Sequence, residues 1–313
     1  MKKRPRLSVK EALADETLAK AAAGDLDACV HLDALGLLIG PDESGPDYAE
    51  RLRKLRGNIE ELRTRLEEGP VEFYEFSLTR AERIREKAYQ DAVSATWGLY
   101  DFAIHWVPGF YTNQGMGLLF AGCALYSYED FFAVFVIRKG FQKKDRWLIY
   151  SRNELMAHEL CHIARIGFHS RAFEEMFAYR TASSGFRKFI GGMLRSPLDS
   201  YLLAGGALSL LAVQYANIFL LTEPLQWLYA IPVGLFGYVL SRFGCGQTAF
   251  RLARRNLAKV FDSADALPVL FRCSDRDVYA IAACLRPSAL QQWLHKRAAE
   301  SLRWKVTLRR YNC

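Results

Sequence analysis

Several absences narrow the possibilities before any motif is found. The chain has no CxxC pair, and its seven cysteines (Cys29, Cys123, Cys161, Cys245, Cys273, Cys284 and Cys313) are odd in number and irregularly spaced. This excludes a cysteine-rich zinc module and argues against a disulfide framework. A reducing, cytoplasmic setting is therefore expected for the soluble parts. Histidine is scarce, with six residues in 313 and one closely spaced HxxxH, too few for a di-iron membrane oxygenase built on histidine boxes. No DNA- or RNA-binding motif occurs, and the basic residues do not interleave with aromatics, so no nucleic-acid partner is expected. The basic start Met1-Lys2-Lys3-Arg4-Pro5-Arg6 is followed by the polar Leu7-Ser8-Val9-Lys10-Glu11, which predicts no cleaved signal peptide.

What is present is an uneven distribution of apolar residues. They make up 51% of the chain, and the excess lies between Tyr201 and Leu240. Tyr201 to Leu221 is about 21 residues without a formal charge, enough to cross a bilayer core. Thr222-Glu223-Pro224 breaks the run, and Leu225 to Leu240 is a second apolar segment, extendable to Phe243 if Arg242 snorkels. Trp227, Tyr229 and Tyr238 suit its interfacial ends. The expectation is a two-helix transmembrane hairpin, against the alternative of a buried hairpin in a soluble core. Arg187, Lys188 and Arg195 precede it, and Arg242, Arg251, Arg254, Arg255 and Lys259 follow it. The connecting turn has neither Lys nor Arg, so both flanks are expected in the cytoplasm. The net charge of +8 fits contact with anionic lipid.

Four regions are expected: a helical segment over 1–70, a mixed segment over 71–200, the hairpin over 201–243, and a helical C-terminal region over 244–313. In the first, Leu52, Leu55, Ile59, Leu62 and Leu66 form a stripe spaced three and four apart, closed by Gly69-Pro70. It reads as a helix packed on its neighbours or as a short dimerising coiled coil. In the second, strands are expected over Leu118–Tyr126 and Phe131–Arg138, then a helix from about Ile149 to Ala164 with Gly167 at its end. A further helix is expected from Arg171 to Phe189. Helices opened by Ser274 and Ser288 follow, the latter reaching about Arg303.

His158-Glu159-Leu160-Cys161-His162 carries the chemistry. Two histidines four apart share one helix face and can bind one ion. Glu159 points about 100° round the helix, where it can take a proton from a metal-bound water. Chance would place HExxH in about one such sequence in a hundred. Its flanks, Leu155, Met156 and Ala157 before and Ile163 and Ala164 after, are uncharged.

From about Leu118 to Tyr179 the chain resembles the zincin metallopeptidases. The resemblance implies an α+β zincin-like domain, with a small sheet, a motif helix and a glutamate helix. It also implies a Zn2+ cofactor, a peptide or protein substrate, and Glu159 as general base. The string Glu174-Glu175-Met176-Phe177-Ala178-Tyr179 looks like the E-x-x-A motif of the gluzincin branch, which makes Glu175 the third ligand beside His158 and His162. Glu174 is an alternative. So is His169, on a metzincin reading, although Arg165 stands where that pattern has glycine and His169 is one place late. The resemblance also implies an added substrate strand beside the motif helix, on Phe131–Arg138 or the run to Tyr126. Tyr179, Arg180 and His105 are available as oxyanion donors, whereas His31 and His295 are expected on helix surfaces. The expected protein is a zinc endopeptidase anchored in an inner or plasma membrane, with catalytic domain and termini cytoplasmic and membrane proteins among its substrates. The rival is a membrane adaptor that retains the fold without catalysis.

Overall fold

The computed structural model describes residues 9–117, 121–127, 132–220, 223 and 225–312. The fold is mixed, with helices predominating over three small sheets. Strands β1 (Val71–Phe73) and β2 (Phe76–Leu78) form an antiparallel hairpin. Strands β3 (Gly109–Thr112), β4 (Gly122–Ser127) and β5 (Phe132–Arg138) form a sheet of order β3-β5-β4. There β5 runs parallel to β3 and antiparallel to β4. Strands β6 (Arg146–Trp147) and β7 (Tyr150–Ser151) make a short ribbon ahead of the motif helix.

The continuous apolar run of β5 has a direct cause: both of its faces are covered. Phe132, Val134 and Val136 meet the N-terminal helices, while Ala133, Phe135 and Ile137 meet the motif helix side of the core. The N-terminal layer comprises helices Asp15–Ala22, Leu26–Ala34 and Gly45–Glu68. Ser44 caps the last of these by accepting from the Asp47 N–H, and Gly69 ends it. Leu52, Leu55, Leu62 and Leu66 are buried against the same chain, so no open seam remains for a coiled coil.

The C-terminal helices Ala266–Phe271, Asp275–Ala283, Pro287–Glu300 and Leu302–Tyr311 close the other side of the core. They are tied to the N-terminal layer by a buried ion cluster. Arg272 donates from Nη2 to Asp33 at 2.7 Å, Arg310 also reaches Asp33, and Arg272 Nη1 donates to the Tyr100 carbonyl at 2.9 Å.

Two helices are long and apolar enough to cross a membrane. One spans Pro197–Leu220 and the other Gln226–Leu257, with mean hydropathies of 1.5 and 1.3. Only 11% of either window is buried, which is unlike a soluble core helix. Leu208, Leu211, Ile218, Phe219, Trp227 and Val233 are all exposed.

Several expected boundaries shift. The strand over Leu118–Tyr126 is found at Gly122–Ser127, and residues 118–120 lie outside the described residues, as do Phe131, Thr222 and Pro224. The motif helix starts at Arg152, because Tyr150 and Ser151 pair in β7. Gly167 is not its cap: the chain enters a 3-10 turn at Ile166–Phe168, and His169 takes the left-handed conformation at φ 47°. The helix expected over Arg171–Phe189 is divided into Glu174–Ala178 and Gly185–Ile190, with a 3-10 turn at Tyr179–Thr181. Ser184 caps the second piece, so the local serine chemistry overrides the helical pattern. The expected boundary at 243/244 falls inside one uninterrupted helix, Ala230–Leu257. The helix from Pro287 ends at Glu300, and a separate helix follows.

Candidate metal centre

The motif helix, Arg152–Ala164, buries Met156, Leu160, Cys161 and Ile163 against the core. One turn separates His158 from His162 on its opposite face. Their Nε2 atoms are 3.1 Å apart. The helix Glu174–Ala178 packs across this face and delivers Glu175. Glu175 Oε2 lies 3.6 Å from His158 Nε2, and its Oε1 lies 3.5 Å from His162 Nε2. These three side chains could hold a metal ion. The donor set tests well against zinc. Four ligands about 2.0–2.1 Å from a tetrahedral zinc are about 3.3 Å from one another. The 3.1 Å edge between the histidines is close to that spacing, and Glu175 approaches the two nitrogens with different oxygens, so that with one ligand atom from each residue the three lie within 4.8 Å of one another.

The two rival third ligands are placed elsewhere. Glu174 faces the far side of His162, with Oε1 3.3 Å from Nδ1. Accepting a proton there leaves the Nε2 lone pair for a metal, the outer-shell arrangement that orients a ligand histidine. Its other oxygen accepts from Arg165 Nε at 2.8 Å. Arg165 is 1% exposed, donates to the Phe271 and Cys273 carbonyls, and stacks on Phe177 with Cζ 4.4 Å from the ring centre. His169 is exposed and lines a separate cavity of about 790 Å³ with Asp42 and Asp275.

Glu159 is 8% exposed, and its Oε2 accepts from the Ala124 N–H of the edge strand β4 at 2.9 Å. Burial pushes its carboxyl up to about 7, against the opposing pull of His162 and the Ala124 N–H. Burial would lower His162, but the bond to Glu174 and the charges of Glu175 and Glu159 carry it up to about 9. His158 is held well below the ordinary value by burial and by the neighbouring His162. A bound dication would draw these groups toward their metal-binding forms, with the histidines neutral and the carboxylates charged.

A cleft of about 170 Å³ opens on His158 and Glu159, walled by Gly122, Tyr150, Tyr179 and Arg187. Of the three expected oxyanion donors only Tyr179 lines it, with its ring 4.7 Å from that of His158. Arg180 lies over Phe250 instead, and His105 is exposed. His295 is exposed as expected, but His31 is half-buried. Among the described residues β5 is the central strand, flanked by β3 and β4; the run ending near Tyr126 adjoins the motif helix, its Ala124 N–H bonded to Glu159 and its Tyr126 carbonyl accepting from the Tyr74 hydroxyl. Tyr150 and the Arg165–Glu174 pair were not singled out in the sequence, and Arg187 was read only as a basic flank of the hairpin. The one available signal was a second carboxylate adjoining the ligand glutamate, which makes an outer-shell partner possible. No protein-family model matches this chain, and no curated protein or solved structure is similar to it.

Proposed function

We propose that this protein is a membrane-anchored zinc peptidase of zincin type, with Glu159 as its general base. The observation that carries the reading is the convergence of His158, His162 and Glu175, with ligand atoms within 4.8 Å of one another, beside a buried carboxylate. Zinc, when bound, supplies Lewis acidity and lowers the pKa of a coordinated water toward about 7. Glu159 would accept the proton of a water in the cleft and return it to the leaving amine, a role open to a buried carboxylate beside the histidine pair. An extended peptide adds beside β4 through backbone hydrogen bonds, taking the Ala124 N–H from Glu159 and aligning its own carbonyl with the cleft. Tyr179 is the candidate donor to the developing oxyanion. The two apolar helices cross the bilayer, and the basic flanks place the peptidase body and both termini on the cytoplasmic side.

The test compares purified wild type with His158→Ala and Glu159→Gln for zinc content and for hydrolysis of a peptide library. His158→Ala is expected to lose zinc. Glu159→Gln is expected to keep zinc and lose hydrolysis by at least about 10²-fold. Full hydrolysis by Glu159→Gln would overturn the mechanism. Zinc without hydrolysis in the wild type would favour an adaptor.

A further inference from the structure

The segment between the glutamate helix and the hairpin is short and unusually apolar on its outside. Phe186 is 69% exposed, Phe189 48%, Leu194 42% and Leu198 55%. These residues are not scattered singly, since they lead directly into Tyr201 at the foot of the first hairpin helix. The height of the segment along the hairpin is fixed by contacts. The Phe189 ring lies 5.3 Å from Phe243, and the Phe189 carbonyl accepts from Gln247 at 2.9 Å. Arg195 donates to the Arg242 carbonyl at 2.9 Å, and Arg242 pairs with Asp199 at 2.7 Å. The segment therefore sits level with Arg242 and Phe243, where the apolar run of the second helix ends.

From that level to the end of the second helix the charge is predominantly basic, with the acids Asp199 and Glu154 paired to Arg242 and Arg187. Residues 181–198 carry Arg187, Lys188 and Arg195 without an acid, and residues 225–261 carry Arg242, Arg251, Arg254, Arg255 and Lys259 without an acid. Of these, Arg251, Arg254, Arg255 and Lys259 are exposed. Exposed aromatics beside a basic face, continuous with spanning helices, match the layer where acyl chains meet anionic headgroups.

The inner side of the same segment is cleft wall. Glu154 in the first turn of the motif helix pairs with Arg187 at 2.8 Å and accepts from the Ser183 N–H at 3.0 Å. Thr181, Ala182 and Arg187 line the cleft with His158 and Glu159. Gly191 and Gly192 press on Tyr179 and Met176 of the glutamate helix, with no room for a Cβ at either position. The outer and inner sides are thus two surfaces of one pinned element.

We infer that the Gly185–Leu198 segment is a second membrane contact, seated in the anionic headgroup layer, that holds the metal cleft at the bilayer surface and directs it to peptide segments emerging from the membrane. The inference rests on the peptidase reading for its substrate class, whereas the membrane contact stands on the surface alone. Recognition is by position: a peptide segment emerging beside the hairpin meets the cleft at the bilayer surface, and tethering raises its effective concentration.

The test uses the full chain in nanodiscs of equal parts phosphatidylcholine and phosphatidylglycerol, with Cys123, Cys245, Cys284 and Cys313 replaced by serine. Nitroxide labels are placed singly at Phe186→Cys, Leu194→Cys, Leu208→Cys and Tyr74→Cys, and their depth is read by power saturation with oxygen and a water-soluble nickel chelate. Labels at 186 and 194 are expected to favour oxygen over nickel, as at 208, and the label at 74 to favour nickel. Labels at 186 and 194 that behave like the one at 74 would overturn the inference. So would a nickel-accessible label at 208, which removes the hairpin itself. In a second arm, Phe186→Ser/Leu194→Ser is expected to cleave a lipid-anchored peptide about tenfold more slowly and the same soluble peptide at the wild-type rate. Equal loss on both substrates would overturn the substrate class. Failure of the wild type on either peptide is a failure of the peptidase reading and leaves the depth result to decide the membrane contact.

Discussion

Replacing Glu174 and Glu175 in turn by glutamine separates an outer-shell role from a ligand role at adjacent positions. Structural zinc is bound with about 10–16 kcal/mol by four ligands, or roughly 2.5–4 kcal/mol each. Glu175→Gln replaces a carboxylate, whose Oε2 lies 3.6 Å from His158 Nε2 and whose Oε1 lies 3.5 Å from His162 Nε2, with a weak neutral ligand. The expected loss is about 10²–10³-fold in zinc affinity. Glu174→Gln keeps an oxygen able to accept from His162 Nδ1 but removes the charge that pairs with Arg165. Outer-shell changes of this kind cost about 10–100-fold in metal affinity. Arg165 retains its bonds to the Phe271 and Cys273 carbonyls, so Glu174→Gln is expected to fold. The assay is competition against a chromogenic zinc chelator in detergent, on protein first stripped and then titrated. Zinc binding weaker in Glu174→Gln than in Glu175→Gln would refute the assignment of ligand and orienting residue.

Three further outcomes are expected. Asp33→Asn should destabilise the fold by about 3–5 kcal/mol near neutrality, since it leaves the buried Arg272 and Arg310 without their counter-ion. Burial alone would raise Asp33, but the two guanidiniums hold it below the ordinary range, so its contribution is present above about pH 3.9 and lost as pH falls through the folded value. Thermal unfolding should therefore show the gap between wild type and Asp33→Asn closing in acid, and a constant gap would contradict the linkage. Gly192→Val should lower zinc occupancy without touching a ligand, because the added carbons meet Met176 and displace the glutamate helix at a cost of about 1–3 kcal/mol; unchanged zinc content and melting temperature would show that the junction is loose. Reporters fused after Gly69 and at the C-terminus should read cytoplasmic and one inserted at Glu223 external, while release of the chain by carbonate alone would show that the helices do not span.

The candidate metal-binding pair was legible because it is a local pattern. His158 and His162 lie on one helix, and a spacing of four fixes their common face whatever the rest of the chain does. The apolar hairpin was legible for the same reason, since length and composition decide whether a helix can span. The continuous run of β5 also read correctly as a strand, because burial on both faces removes the alternation that an exposed face would impose.

The choice between Glu174 and Glu175 was not local. Adjacent residues diverge by about 100° around a helix, so one of them had to turn away, but the direction depends on how that helix docks. Docking is set by Phe173, Met176 and Phe177 packing into a core completed by Phe250 and Phe271, far along the chain. Arg165 then selects Glu174 as its partner because its guanidinium is already held by the Phe271 and Cys273 carbonyls. Likewise β4 borders the motif helix only because β3 pairs with the far side of β5. The sequence by itself determined which residues could bind a metal and which helices could enter a bilayer, since both follow from spacing and composition. Tertiary packing decided which carboxylate faces both histidines, which strand borders the motif helix and where the cleft opens, because each depends on side chains brought together from distant parts of the chain.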